Sequence, residues 1–212
     1  MEIEPVRLGI LSTAEINEAV LEGARESERV DIHAVASRDS ARAEAYAAAH
    51  GIERAYGSYD ALLADPELDA VYISPPNSLH MEWSERALEA GKHVLCEKPL
   101  TRRAAEVERA FDVADRTGRV FAEAFMWRHN PQTAKLQELI QSDAIGDIRQ
   151  IRAAFSYTLT DEENIRLRAD LDGGALMDVG CYCVSGFSQS TCLPASSARI
   201  DHSTWRLFGS EM

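Results

Sequence analysis

An acid and an amine stand side by side at Glu97-Lys98, with Pro99 directly after them and the apolar run Val94-Leu95-Cys96 directly before. Proline has no N–H to donate to a sheet ladder, so a strand over that run must end there. Open α/β sheets bind their ligands at the carboxyl ends of strands. The pair is therefore delivered either to such an edge or to an ordinary strand end, as a surface ion pair. A second constellation lies further on, at Asp178 and Tyr182. Their spacing of four puts both on one face of a helix whose other positions are small or apolar. A buried aspartate is costly unless partnered. The two are either an acid and a phenol poised for chemistry or a hydrogen-bonded pair that packs the helix.

The elements that must position these groups alternate regularly. Val6 to Leu11 reads as a strand, Ser12-Thr13-Ala14 as a small-residue turn, and Glu15 to Ala24 as a helix. Strand, tight turn and helix form a phosphate-binding corner, because the helix N-terminus offers free N–H groups. In this reading the glycine fingerprint is degraded: Gly9 fills its first position, Leu11 its second and Ala14 its third. Further strands are expected over 31–36, 54–56, 70–73, 92–96 and 120–124, with helices over 40–50, 59–64, 80–90 and 104–116. Gly51, Gly91 and Gly118 close helices, and Ser58 and Thr101 cap them.

Six strands alternating with helices predict a Rossmann-type, doubly wound parallel sheet over residues 1–124. Crossover handedness then gathers the strand ends at Gly9, Ser37, Ser74 and Glu97 on one edge. The second of those ends selects a cofactor. An acid there would accept from the ribose 2′-OH of NAD. Ser37 and Arg38 come first instead, and a hydroxyl with a guanidinium suits the 2′-phosphate of NADP. NADP is the expected cofactor, ahead of NAD.

Beyond residue 124 the pattern changes to a mixed α+β one over 125–212. Pro131 opens a helix to Gln141, and Asp147 to Thr158 alternates like a long strand. Residues 161–170 are charged and read as a surface loop. Asp172-Gly173-Gly174 leads into the helix that carries Asp178 and Tyr182. From Phe187 to Met212 the composition shifts to six Ser and two acids, with poor periodicity, which reads as a divergent or frame-shifted tail.

A net charge of −13 excludes nucleic acid and anionic membranes as natural partners. Lysine occurs only at 92, 98 and 135, against 19 arginines, a bias that fits a high-salt cytoplasm or a GC-rich genome. Cys96, Cys181, Cys183 and Cys192 have no paired metal-ligand spacing, so reduced thiols and no metal are expected. There is no signal-peptide pattern and no apolar run near the roughly 18 residues a membrane span needs, so the expected location is cytoplasmic.

Taken together, Ser74-Pro75-Pro76-Asn77 with His80, Glu97-Lys98-Pro99, and Gly173-Gly174-Ala175-Leu176-Met177-Asp178-Val179-Gly180 resemble the Gfo/Idh/MocA family of NAD(P)-dependent oxidoreductases. The likeness runs from about Arg7 to Val184. Glu123 to Arg128 and Tyr182 resemble the branch containing D-xylose 1-dehydrogenase (NADP), dihydrodiol dehydrogenase and glucose–fructose oxidoreductase. The resemblance implies Lys98 as catalytic lysine and Tyr182 as acid/base, with Asp178 either orienting Tyr182 or contacting a substrate hydroxyl. It implies cofactor contacts at Gly9, Leu11, Ser12, Thr13, Ala14, Ser37, Arg38, Ser74, Pro75, Asn77, His80, Glu97, Lys98, Trp127 and Arg128. Family members usually exceed 300 residues and form homodimers, so the substrate domain here is expected to be incomplete. In this branch glycine usually stands where Ser12 is.

The implied reaction is hydride transfer between the nicotinamide and a sugar or cyclic diol. An unperturbed tyrosine has a pKa near 10, and a nearby ammonium lowers such a value. The rival expectation is a non-enzymatic NADP-binding fragment.

Overall fold

A computed structural model of the chain describes residues 4–191, with side chains to residue 188. The described chain forms two compact units. One takes residues up to Phe125 together with Leu159–Asp178, and the other takes Met126–Thr158 and the chain from Val179.

The first unit is a six-stranded parallel sheet: β1 (Val6–Leu11), β2 (Val30–Ala36), β3 (Arg54–Tyr56), β4 (Ala70–Ile73), β5 (His93–Cys96) and β6 (Phe121–Glu123), in the order β3-β2-β1-β4-β5-β6. This is the doubly wound order, with its reversal between β1 and β4. The crossovers are α1 (Asn17–Arg25), α2 (Ser40–His50), α3 (Tyr59–Leu63), α4 (His80–Glu89) and α5 (Ala104–Thr117). The central strands are apolar on both faces because helices cover both. Ile10, Val35 and Tyr72 pack on one side, with Leu11, Val71 and Ile73 on the other, all fully buried. Each such side chain stabilises the unit by about 1.5–3 kcal/mol.

Local chemistry sets the helix ends. Ser58 accepts from the N–H of Ala61, and Gly51 and Gly118 take the left-handed conformation at the ends of α2 and α5. Thr101 acts differently from expectation. The N-cap position of α5 is Arg103, and Thr101 instead accepts from the Arg103 N–H and donates to the Glu106 carboxylate.

The second unit begins with a 3-10 turn over Met126–His129 and continues into α6 (Pro131–Gln141), which Asn130 caps. Asn130 accepts from the Gln132 N–H at 2.9 Å, and the Thr133 hydroxyl donates to the Trp127 carbonyl at 2.7 Å. α7 (Cys181–Thr191) closes the described chain. Two expectations are corrected here. No β ladder forms over 147–158, because among the described residues the second unit contains no other strand to satisfy its backbone groups. Phe155 and Tyr157 stay half exposed. The helix expected over 175–184 is a π-helical stretch at Leu176–Gly180 followed by α7, so the simple four-residue face linking Asp178 to Tyr182 does not hold. The part of the serine-rich tail from residue 192 lies outside the described residues. No described helix is long and apolar enough to cross a membrane.

Candidate active site

β1 continues through Leu11, so Gly9 and Leu11 lie inside the sheet rather than in the turn. A side chain at Gly9 would meet Leu68 at 2.8 Å and Leu62 at 2.9 Å; the glycine serves core packing. The expected placing of the fingerprint is therefore corrected by three residues. The turn starts at Ser12, and the glycine-x-glycine-x-x-glycine spacing falls on Ser12, Ala14 and Asn17.

Ser12 has φ +118°, a conformation that favours glycine and costs other residues about 1–3 kcal/mol. A buried hydroxyl network holds it there. Ser74 Oγ donates to Asn17 Oδ1 at 2.6 Å, and Ser12 Oγ lies 2.8 Å from Ser74 Oγ. Ser74 has one proton, so Ser12 donates to Ser74. Ser12 Oγ also accepts from the Ala14 N–H, while Asn17 Nδ2 donates to the Ser12 carbonyl at 2.9 Å. Asn17 is fully buried, and sequence reasoning missed it. Thr13 is half-buried in the same turn.

At the end of β2, buried Ser37 accepts from the Asp39 N–H, and Asp39 Oδ1 accepts from the Arg42 N–H at 2.8 Å. The first acid after β2 is thus occupied in capping α2, while Arg38 stays exposed. A cavity of about 370 Å³ opens beside it, lined by Arg38, Ser58, Tyr59 and Trp83 and also by the acids Asp60 and Glu82. Burial pushes the Tyr59 hydroxyl up, and the guanidinium groups of Arg38 and Arg42 oppose that. A larger groove of about 510 Å³ lies between α3 and α4 and shares Asp60 with the first cavity. It holds none of the candidate residues.

The loop after β4 carries Pro75, Asn77 and His80. Asn77 Nδ2 donates to the carbonyl of Asp172 at 3.1 Å. The ring nitrogens of His80 lie 2.8 Å from the Pro99 carbonyl and 2.9 Å from that of Pro75. This ring is almost fully buried. Burial lowers the His80 pKa, and the two carbonyls oppose that. His80 braces the ends of β4 and β5 together instead of facing an open site, a correction to its expected role.

Glu97 also turns inward. Its carboxylate accepts from the Tyr72 hydroxyl at 2.6 Å and from the Lys98 N–H at 3.1 Å. Burial raises its pKa; both bonds and the Lys98 charge oppose the rise. Lys98 points the other way. Its Nζ donates to the Asp178 carbonyl at 2.7 Å and lies 3.3 Å from Asp178 Oδ1. The peptide bond between Lys98 and Pro99 is cis.

The loop 159–178 includes Arg166, which lies in the stretch 161–170 that the sequence reads as a charged surface loop. Asp172 is buried, with Arg102 at 2.6 Å and Arg103 at 3.8 Å. Arg166 Nε lies 3.3 Å from Asp178 Oδ1. The only signal for the arginine and lysine contacts reaching this loop from α5 and β5 is opposite charge at separations of about 70–80 residues.

In the second unit, Tyr182 meets Phe155 edge-on, with ring centroids 5.4 Å apart. Arg128 donates to the buried Ser185 hydroxyl at 2.8 and 3.1 Å, and Trp127 is half-buried beside Gly186. Among the described residues, no group of three His, Cys, Asp or Glu side chains could hold a metal ion.

Comparison with known proteins gives two family matches along the chain. The family described as an oxidoreductase family with an NAD-binding Rossmann fold, Gfo/Idh/MocA, matches residues 6–125, and its C-terminal domain matches residues 133–205. D-xylose 1-dehydrogenase (NADP(+)) 2 of Haloferax volcanii is 49% identical over 179 residues, 84% of this chain and 54% of that protein. Trans-1,2-dihydrobenzene-1,2-diol dehydrogenase of Xenopus tropicalis is 38% identical over 151 residues, 71% of this chain and 46% of that one. Among solved structures, the 3-ketoreductase KijD10 from Actinomadura kijaniata, in complex with NADP and TDP-benzene, superposes with a TM-score of 0.81 at 38% identity, covering 87% of this chain and 57% of its own. The chain thus spans about half the length of the relatives it matches. With its sheet order, its turn at Ser12 and more than half its residues matched, this chain belongs to the Gfo/Idh/MocA oxidoreductase family.

Proposed function

We propose that this chain forms the cofactor-binding part and part of the substrate domain of an NADP-dependent oxidoreductase acting on a sugar, with oxidation of a D-xylose-type substrate at C1 as the first reading. Residues 1–124 are the cofactor domain in this reading, and 125–212 belong to the substrate domain. The observation that carries it is Lys98. Its ammonium stands at the carboxyl end of β5 on the edge that also holds the Ser12 turn and Arg38, and Asp178 orients it.

The residues present fit NADP. The Ser12–Ala14 turn precedes the N-terminus of α1, where a pyrophosphate is favoured. Arg38 lines a cavity that Asp60 and Glu82 also line, Asp60 is paired with Arg86, and the first acid after β2, Asp39, already caps a helix. The Arg38 guanidinium suits a 2′-phosphate. When bound, the nicotinamide supplies the hydride acceptor. Lys98 then holds the reacting oxygen, Tyr182 moves the hydroxyl proton, and Asp178 fixes the lysine. The 49% identity to a D-xylose dehydrogenase supports the sugar reading.

A second reading, reduction of a nucleotide-linked keto sugar, draws on the fit to the 3-ketoreductase structure. A cyclic-diol substrate draws on the dihydrodiol dehydrogenase relative. One experiment separates these readings: titration with NADP and NAD, then assay with D-xylose, D-glucose, a cyclic diol and a nucleotide-linked keto sugar. Lys98→Ala and Tyr182→Phe are each expected to abolish turnover while NADP binding survives. Wild-type rates in either variant would overturn the mechanism, and tight NADP binding without turnover on any substrate favours a binding fragment.

A further inference from the structure

His80 opens α4 with a carbonyl oxygen against each ring nitrogen. Nδ1 lies 2.8 Å from the Pro99 oxygen, and Nε2 lies 2.9 Å from the Pro75 oxygen. A backbone carbonyl only accepts, and a neutral imidazole has one N–H and one lone pair. Both contacts are hydrogen bonds only when both nitrogens carry a proton. In the neutral ring, one contact sets a lone pair against an oxygen. The residue is 1% exposed, so bulk water does not reach the ring to relieve it. The two carbonyls belong to segments that shape the carboxyl edge of the sheet. Pro75 leads to Asn77, whose side chain donates to the Asp172 carbonyl at 3.1 Å, and Pro99 directly follows Lys98.

We propose that His80 is a proton-operated clamp between the ends of β4 and β5. As the imidazolium it holds both prolines, which is the observed arrangement. Without the second proton it holds one, and the segment carrying the other carbonyl loosens. Release on the β4 side slackens the Asn77 tie to Asp172, and release on the β5 side slackens the turn behind Lys98. Burial lowers the His80 pKa most, the carbonyls of Pro99 and Pro75 oppose that, and the Lys98 charge lowers it further. The N-terminal end of α4 also disfavours a cation. Glu97, next to Lys98, has its carboxylate engaged by the Tyr72 hydroxyl and the Lys98 N–H. The clamp therefore closes on both carbonyls as pH falls through a value below the ordinary histidine pKa of about 6.5.

NMR of the full chain, isotope-labelled at histidine and leucine, tests this between about pH 8 and about pH 4. The ring nitrogens of His80 read its protonation. Amide exchange at Leu79 and Leu100 reads the two segments, because the Leu79 N–H donates to the Pro76 carbonyl at 2.8 Å and the Leu100 N–H to the Glu123 carboxylate at 3.1 Å. His80→Gln has no titrating ring proton and serves as the reference at each pH. One ring nitrogen is expected to carry a proton at neutral pH and both at the acid end. Across that change, the exchange rate of wild type relative to His80→Gln is expected to fall about tenfold at one of the two amides, the size of a hydrogen bond to a charged group. A ring that stays neutral until the chain unfolds overturns the proposal. So does a ring that charges while the relative rates at both amides stay constant. The ring titration needs only the wild-type chain, so it decides even where the variant does not fold.

Discussion

The Tyr72 hydroxyl donates to the Glu97 carboxylate across 2.6 Å, tying the middle of β4 to the residue that ends β5. The bond is buried, and it holds the acid of the Glu-Lys-Pro sequence beneath the edge while the lysine reaches out of it.

Stability should record this acid. Burial raises the Glu97 pKa above its ordinary value of about 4.3. A carboxyl raised in the folded state contributes fully below its unfolded value, and the contribution is lost as pH climbs through the folded value. Wild type is therefore expected to lose stability relative to Glu97→Gln as pH rises from about 4 toward neutrality. Tyr72→Phe should deepen the loss by about 1–3 kcal/mol at neutral pH. Urea denaturation at a series of pH values reads both effects, and a pH-independent gap between wild type and the Glu97→Gln variant would contradict them.

Arg38 should discriminate between cofactors. Arg38→Ala is expected to weaken NADP binding about tenfold or more, the size of one charged hydrogen bond, and to leave NAD binding nearly unchanged. Isothermal titration with both nucleotides checks this. Equal losses for the two would place Arg38 on the adenine rather than on the phosphate.

The Ser12 turn should depend on Asn17. Asn17→Ala removes the short acceptor of the Ser74 hydroxyl proton and the donor to the Ser12 carbonyl. The expected cost is about 1–3 kcal/mol in unfolding free energy, with weaker nucleotide binding in the folded protein. An unchanged denaturation midpoint would show that the network is dispensable.

Gly173→Ala should loosen the 159–178 loop, because the added carbon meets the Arg166 and Arg168 carbonyl oxygens at 2.6 and 2.8 Å. Limited trypsinolysis reads the effect at Arg166 and Arg168. Faster cleavage at those two bonds, with the rest of the first unit resistant, is the expected outcome. Wild-type cleavage kinetics would mean that the loop accommodates the methyl group.

The parallel sheet is legible in the sequence because each strand is a short apolar run stopped by a small or charged residue. The bounds of Ala70–Ile73 and Arg54–Tyr56 can be read to the residue. Caps are legible where a side chain acts on its own turn, as at Ser58. The register of the phosphate turn is not. Gly9 is the visible glycine, but its lack of a side chain serves Leu62 and Leu68, whereas the left-handed position belongs to a serine. The 159–178 loop is illegible for another reason. The charges over 161–170 look like solvated surface, and the fold alone shows that Arg166 reaches Asp178 and that Arg102, Asn77 and Lys98 meet Asp172 and Asp178. The alternation over 147–158 misleads because period two shows which faces a strand would have, but not whether another strand is there to pair with it.

The cap at Asp39 has a consequence for redesign. Its carboxylate is fastened to the Arg42 amide, and the rotamer that makes this bond starts α2. Swapping cofactor preference by deleting Arg38 alone would thus leave Asp39 engaged in the cap rather than turned to a ribose hydroxyl. An engineer seeking an NAD-using version would have to introduce a new acid at position 37 or 38 and keep Asp39 where it is.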